Sequence, residues 1–169
     1  MKLRRAVSTD AAALSELGET TFTAAFGTTY RPHDLRAFLD EAYSSAYYDK
    51  RLADPRVGIW VVADDQGRLM AFGMAGACAL PVPDLEPAAG EIKRLYVRAE
   101  AQGQQMGSRI LDVMLEWLAQ ERFAPLYVGV WSQNPGAQRL YGRYGFRKVG
   151  EYEFPVGEHR DHEFILKRE

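Results

Sequence analysis

Glu91-Ile92-Lys93-Arg94-Leu95-Tyr96-Val97, followed after four residues by Gln102-Gly103-Gln104-Gln105-Met106-Gly107-Ser108, is the stretch on which the rest of the chain depends. The first run reads as a short β-strand. The second reads as a loop of small and polar residues with free backbone N–H groups. Apolar residues then recur at Met106, Ile110, Leu111, Met114, Leu115 and Leu118. These share one face at the helical period, so a helix is expected to run to Gln120. A glycine-containing loop opening onto a helix aims unpaired N–H donors and the positive end of the helix dipole at one spot, which suits a pyrophosphate. The same spacing also fits a plain tight strand-to-helix connection.

Two better-known phosphate loops do not match. A Walker loop needs Lys-Ser/Thr after its last glycine, and here Gly107 is followed by Ser108-Arg109. A dinucleotide loop needs three glycines at fixed spacing, and only Gly103 and Gly107 occur here.

The chain has 169 residues, enough for one domain with a sizeable core, and one domain over residues 1–169 is expected. Its 47% hydrophobic and 26% charged residues are ordinary for a soluble globular protein. A net charge of −2 argues against a nucleic-acid partner. No apolar run reaches the roughly 20 residues of a membrane span. Met1-Lys2-Leu3-Arg4-Arg5 lacks the apolar core of a signal peptide. A lone Cys78 forms no internal disulfide, so a cytoplasmic location is expected.

In chain order, Leu3–Val7 reads as a strand, and Ser8 or Thr9 as the cap of a helix carrying Leu14, Leu17, Phe22 and Phe26. Gly27-Thr28-Thr29 breaks it. Pro32 suits the first turn of a second helix with Leu35, Phe38 and Leu39 on its apolar stripe. Ser44-Ser45 caps a third helix through Leu52, stopped before Pro55. Val57–Ala63, a turn at Asp64–Gly67, and Arg68–Leu80 read as a hairpin. After the strand–loop–helix unit come a strand over Leu126–Trp131, a helix over Asn134–Tyr144, a strand over Gly145–Phe154 and a last strand over His162–Lys167. The expectation is an α/β fold, a mixed central sheet of six to seven strands with helices on both faces.

The loop resembles the acetyl-CoA signature Gln/Arg-x-x-Gly-x-Gly/Ala of the GNAT acyltransferase superfamily, with Gln102 first and Gly107 last. Gln105 stands where that family usually has glycine; if the backbone there needs a positive φ, the substitution costs about 1–2 kcal/mol. Asn134-Pro135-Gly136-Ala137-Gln138-Arg139-Leu140-Tyr141, ending Tyr144-Gly145-Phe146, is similar to the family's Asn-x-x-Ala-x-x-Phe-Tyr-x-x-x-Gly-Phe segment. Glu91–Val97 is similar to its central strand. Further upstream, Thr21–Phe26, Asp34-Leu35 and Phe38-Leu39, with the ending Gly157–Glu163, resemble bacterial PaiA-type spermidine/spermine acetyltransferases.

The resemblance implies roles. Acetyl-CoA would be the co-substrate, with no metal. Leu95, Tyr96 and Val97 would hold its pantetheine through their backbones, and the Val97 N–H would polarise the thioester carbonyl. Gln102, Gly103, Gln104, Gln105, Met106, Gly107 and Ser108 would cradle the pyrophosphate. Asn134 would bond the pantetheine region or simply cap its helix, and Arg143 or Lys148 would meet a phosphate. Tyr141 would protonate the departing thiolate, its alternative being a core tyrosine. Glu91 would act as base through a water, or be a solvated strand end. In some polyamine-acetylating relatives the matching acid falls where this chain has Lys93. Phe22, Phe26, Tyr30 and Glu41, with Asp40, would line the cleft for a cationic amine. Helix packing and surface charge would account for the same residues.

Elsewhere the bland reading stands. Cys78 reads as a small buried hydrophobe within a strand. Ser132 lacks a nucleophile elbow. His159 and His162 have no third metal ligand at sensible spacing and read as solvated hairpin residues. The expected activity is acetyl transfer to a primary amine of a small cationic substrate, a polyamine foremost. The alternatives are a protein N-terminus, an amino acid or an antibiotic amine as acceptor, or a CoA-binding sensor without turnover. A homodimer is compatible with the sequence, which sets no oligomeric state.

Overall fold

A computed structural model describes residues 1–169. Seven strands form one mixed sheet in the order β1-β2-β3-β4-β5-β7-β6. They are β1 (Lys2–Arg5), β2 (Gly58–Ala63), β3 (Leu69–Ala77), β4 (Gly90–Val97), β5 (Leu126–Trp131), β6 (Arg147–Val156) and β7 (His159–Arg168). All neighbours are antiparallel except β4 and β5. Two strands running the same way need a crossover, and α4 (Met106–Gln120) supplies it.

The helices cover both faces. On one, Ile110, Leu111, Met114 and Leu118 of α4 are fully buried against Trp60, Val62, Val128 and Val130, and α5 (Pro135–Arg143) adds Tyr141. On the other lie α1 (Ala11–Phe26), α2 (Pro32–Ala42) and α3 (Ser45–Ala53), whose Leu14, Leu17, Leu39 and Tyr48 pack on Ile59, Val61, Phe72 and Met74. Capping follows the sequence at two places. The Ser44 hydroxyl accepts the Tyr47 N–H at 3.2 Å. The Asn134 side-chain oxygen accepts the Ala137 N–H at 3.0 Å.

Several boundaries differ from expectation, each for a local reason. β1 stops at Arg5, because Asp10 accepts the Val7 N–H at 2.8 Å and pairs with Arg4 at 2.7 Å, closing a 3₁₀ turn over Ser8–Asp10. Neither Ser8 nor Thr9 caps α1; Asp10 does the work at this corner. β3 ends at Ala77 rather than Leu80. The loop after β4 ends at Gln105, so Gly107 and Ser108 already belong to the first turn of α4. β7 begins at His159, three residues before its expected start.

Candidate active site

β4 and β5 pair only over Gly90–Ile92 and Leu126–Val128. Beyond that point the two strands part, leaving Leu95, Tyr96 and Val97 with no strand on that edge. Backbone donors and acceptors left free in this way are a template for an extended ligand. The split opens into a cavity of about 660 Å³ floored by β4, β5 and β7 and roofed by α1, α2 and α3.

A bulge decides which side chains enter it. Met74 faces Arg94 but the next residue, Ala75, faces Ile92, so Lys93 is an extra residue in β4. The alternation is reset there. Glu91, Lys93, Arg94 and Tyr96 line the cavity, while Ile92 and Leu95, which also reach its lining, pack with Val97 against the α4 core. The Tyr96 ring meets Phe72 and Tyr43, and its hydroxyl is 2.8 Å from that of Tyr43.

On the far side of β4 lies the predicted phosphate loop. Gly103 has φ 77° and Gln105 has φ 59°, both left-handed. Gln105 precedes α4 and gives its first turn no side-chain cap. The N–H groups at this helix start are thus free to bind an anion. Gln102 donates to the Val97 carbonyl at 3.3 Å and Gln104 to the Glu100 carbonyl at 3.4 Å, so both side chains serve the loop itself. The Met106 side chain is buried in the core. The Ser108 carbonyl accepts from the Tyr144 hydroxyl at 3.3 Å.

Tyr141 sits on α5 at the cavity wall, 6% exposed. Its hydroxyl has no hydrogen-bond partner within the chain, yet it is not sealed off from the cavity. Burial, with the Tyr96 phenol near by, raises its pKa, so it stays protonated. Asn134 also lines the cavity. Arg143 lies exposed at the end of α5. Lys148 is engaged with Glu151 at 2.8 Å and lies over the Phe164 ring.

Phe22, Phe26 and Tyr30 line the cavity, but Glu41 does not. The inward stripe of α2 is Leu35, Phe38, Leu39 and Ala42, which turns Glu41 to solvent and leaves Asp40 paired with Arg36 at 2.6 Å. Glu91 is held: its Oε2 accepts the Ala79 N–H at 2.8 Å and faces Lys93 Nζ at 2.9 Å. It is buried at the cavity wall, not a solvated strand end.

Other cavity residues escaped the sequence. Asp161 accepts from the Tyr30 hydroxyl and lies 3.1 Å from His159, which is edge-on to the Tyr30 ring. His159 itself stays exposed at the start of β7, as expected of a hairpin histidine, while its ring nitrogen reaches the buried Asp161. Glu163 accepts from the Tyr152 hydroxyl at 2.8 Å. The signal lay in strand alternation, since 161, 163 and 165 share a face once β7 is begun at His159. Arg94 donates to Tyr48 and to the Ala42 carbonyl and stacks on Tyr43 and Tyr47 at 4.2 and 4.6 Å. Cys78 lies just past β3, outside the cavity lining, and burial raises its thiol pKa, which makes it a poor nucleophile. No group of three or more His, Cys, Asp or Glu comes together as a metal site.

Residues 21–146 match the acetyltransferase (GNAT) family. This chain belongs to it. An uncharacterized N-acetyltransferase of Mycobacterium tuberculosis is 27% identical over 161 residues, spanning 95% of this chain and 98% of that one. The spermine/spermidine N(1)-acetyltransferase of Bacillus subtilis is 29% identical over 92 residues, 53% of this chain and 59% of that one. The GNAT fold is shared with the PaiA N-acetyltransferase of Thermoplasma acidophilum, solved with coenzyme A, at a TM-score of 0.78 and 16% identity over 99% and 98% of the two chains. No helix of this GNAT protein is long and apolar enough to cross a membrane.

Proposed function

We propose that this chain moves the acetyl group of acetyl-CoA to the primary amine of a small cationic substrate, foremost a polyamine, by direct attack with both substrates bound. The observation that carries this reading is the split between β4 and β5, with the unpartnered Tyr141 hydroxyl facing it. Pantetheine would lie along Leu95–Val97, and the diphosphate would rest on the loop from Gln102 to Gln105 and the first turn of α4. The fit is supported by Gly107, where even an added Cβ would come no nearer than 3.9 Å to Leu140 and Val97.

The amine would enter from the aromatic side, among Phe22, Phe26, Tyr30 and Trp131. An alkylammonium has a pKa near 10.4, so about one molecule in a thousand is neutral at pH 7. At neutral pH a carboxylate of the cavity wall would take its proton before the nitrogen attacks the thioester carbon. As the C–S bond breaks, Tyr141 gives its proton to sulfur. The proton lost by the new amide nitrogen restores the phenol.

One observation favours a second acceptor class. Arg94 and Arg51 both line the cavity and lie on the Tyr47 ring, at 4.6 and 4.8 Å, and the side-chain bonds of Arg94 go to the Tyr48 hydroxyl and the Ala42 carbonyl rather than to a carboxylate. Such a pair would suit an amine that also bears a carboxylate, such as an amino acid or a peptide end. Thiol release from acetyl-CoA over a panel of polyamines, amino acids, peptides and aminoglycosides tests both. Turnover of polyamines alone supports the first class, and turnover only of carboxylate-bearing amines replaces it. Tight acetyl-CoA binding by calorimetry with no amine-dependent thiol release would instead mark a sensor.

A further inference from the structure

Four carboxylates line the cavity: Asp54, Glu91, Asp161 and Glu163. Three already have an ion-pair or hydrogen-bond partner on the side chain. Asp54 lies 3.6 Å from Arg56, Glu91 2.9 Å from Lys93, and Asp161 3.1 Å from His159 with the Tyr30 hydroxyl on its other oxygen. Glu163 has no cation within ion-pair distance, and its only hydrogen-bond partner in the chain is the Tyr152 hydroxyl on Oε2. Its Oε1 remains free.

Glu163 is also well placed. In the sheet it stands opposite Trp131, whose ring lines the cavity and meets Phe26 edge-on at 5.1 Å. The neighbouring position on β5 is Gly129. A Cβ there would come within 2.7 Å of the Tyr152 hydroxyl and 3.3 Å of Glu163 Oε2, so the bare backbone leaves room for this pair. Tyr96 and Tyr141 line the same cavity as Glu163.

We propose that Glu163, rather than Glu91, is the carboxylate that receives the proton of the bound ammonium. This rests on the acetyltransferase reading above. One N–H bond of the ammonium breaks and one O–H bond forms on Glu163, leaving a neutral amine whose lone pair forms the C–N bond as C–S breaks. Of the two protons the nitrogen sheds, the first passes through Glu163 to solvent. The second replaces the one that Tyr141 gives to sulfur.

Burial raises the Glu163 pKa and the nearby Asp161 carboxylate raises it further, while the Tyr152 hydroxyl holds it down. The titratable neighbours are Tyr152 from β6, Asp161 on its own strand with His159 behind it, Tyr96 from β4, and Tyr30 from the connection before α2. A base of raised pKa is better matched to an ammonium than an ordinary carboxylate. Glu91, by contrast, already has Lys93 and the Ala79 N–H on its Oε2.

The test is kcat against pH, measured by thiol release with the best amine of the panel, for the full chain and its variants. Glu163→Gln should lower kcat at pH 7 by about a hundredfold. The loss should shrink as pH rises and the amine deprotonates unaided, with acetyl-CoA affinity by calorimetry within twofold of the parent. Tyr152→Phe removes the donor that favours the ionised form, so the acidic limb of kcat should move to higher pH. Glu91→Gln should leave the midpoint of that limb where it was. The proposal is overturned if Glu163→Gln keeps kcat within threefold at pH 7, or if Tyr152→Phe leaves the midpoint in place. A parent chain that binds acetyl-CoA yet releases no thiol with any amine removes the acetyl-transfer reading and this role together, a different outcome from an active parent with an active variant.

Discussion

Glu91 and Arg94 point into the same cavity although they are three residues apart on one strand. Strict alternation would place them on opposite faces. The bulge at Lys93 brings a carboxylate, an ammonium, a guanidinium and the Tyr96 phenol to one side, and sends Leu95 to the α4 side with Val97.

Arg94 fixes the roof to this floor. Its guanidinium bonds the Tyr48 hydroxyl at 2.7 Å and the Ala42 carbonyl at 2.6 Å, tying the α2–α3 junction to β4. Arg94→Leu leaves both groups without their charged donor and should cost about 2 kcal/mol, read from urea unfolding. Arg94→Lys keeps the charge but not the flat fork that bonds twice while stacking on Tyr43, so it should recover less than half of that loss.

Gln105 carries strain that glycine would relieve. Its φ of 59° is left-handed, which for a residue with a Cβ costs about 1–2 kcal/mol. Gln105→Gly gives back part of this as unfolded-chain entropy. The net gain should be about 0.5–1 kcal/mol, seen as a raised unfolding midpoint. Gly103→Ala, at φ 77°, should lose about 1 kcal/mol. A fall in stability for Gln105→Gly would mean that the glutamine side chain holds the loop.

The regular parts of this molecule were legible because their signals are local. The stripe through Ile110, Leu111, Met114 and Leu118 announced α4, and Ser44 and Asn134 announced the starts of α3 and α5. The bulge was not legible, since nothing in Ile92-Lys93-Arg94 marks a residue that the partner strand skips. The start of β7 was hidden as well. His159-Arg160-Asp161-His162-Glu163 has no apolar alternation to announce a strand, because the residues it turns to the cavity, Asp161 and Glu163, are themselves charged. Asp161 and Glu163 therefore went unseen as site residues. Glu41 erred in the opposite direction: it is near the cleft in sequence, but helical phase turns it away.

Two carboxylates should give opposite pH dependences of stability. Arg4 lowers the Asp10 pKa below its ordinary value. Its contribution is therefore present above the unfolded pKa of about 3.9 and is lost as pH falls through the lower folded pKa. Asp10→Asn should cost about 1 kcal/mol at pH 7, a loss that fades in strong acid. Glu163 has a raised pKa. Below its unfolded pKa of about 4.3 it is neutral in both states and costs nothing, and as pH rises through the higher folded pKa ionisation penalises the fold. Glu163→Gln should then be more stable than the parent at pH 7–8 and equal to it near pH 4, by thermal unfolding. Equal stability at every pH would show that Glu163 is solvated in the folded state.

Tyr141 is the residue whose loss should separate binding from chemistry. Its hydroxyl has no partner within the chain, so Tyr141→Phe breaks no hydrogen bond of the fold. The ring keeps its edge contact with Phe146 at 5.8 Å, and the core beside α5 should stay packed. Unfolding should shift by less than about 0.5 kcal/mol. Acetyl-CoA binding should hold too, because that depends on the β4 edge and the start of α4. What disappears is a protonated phenol beside the departing sulfur, and kcat should fall by about a hundredfold or more. The more acidic the departing thiol, the more readily it leaves as the thiolate, so a thioester of a more acidic thiol should need the phenol less. Thioester analogues with better leaving groups should restore turnover in Tyr141→Phe more than in the parent. Equal gains in both proteins would place proton donation after the slow step and remove Tyr141 from it.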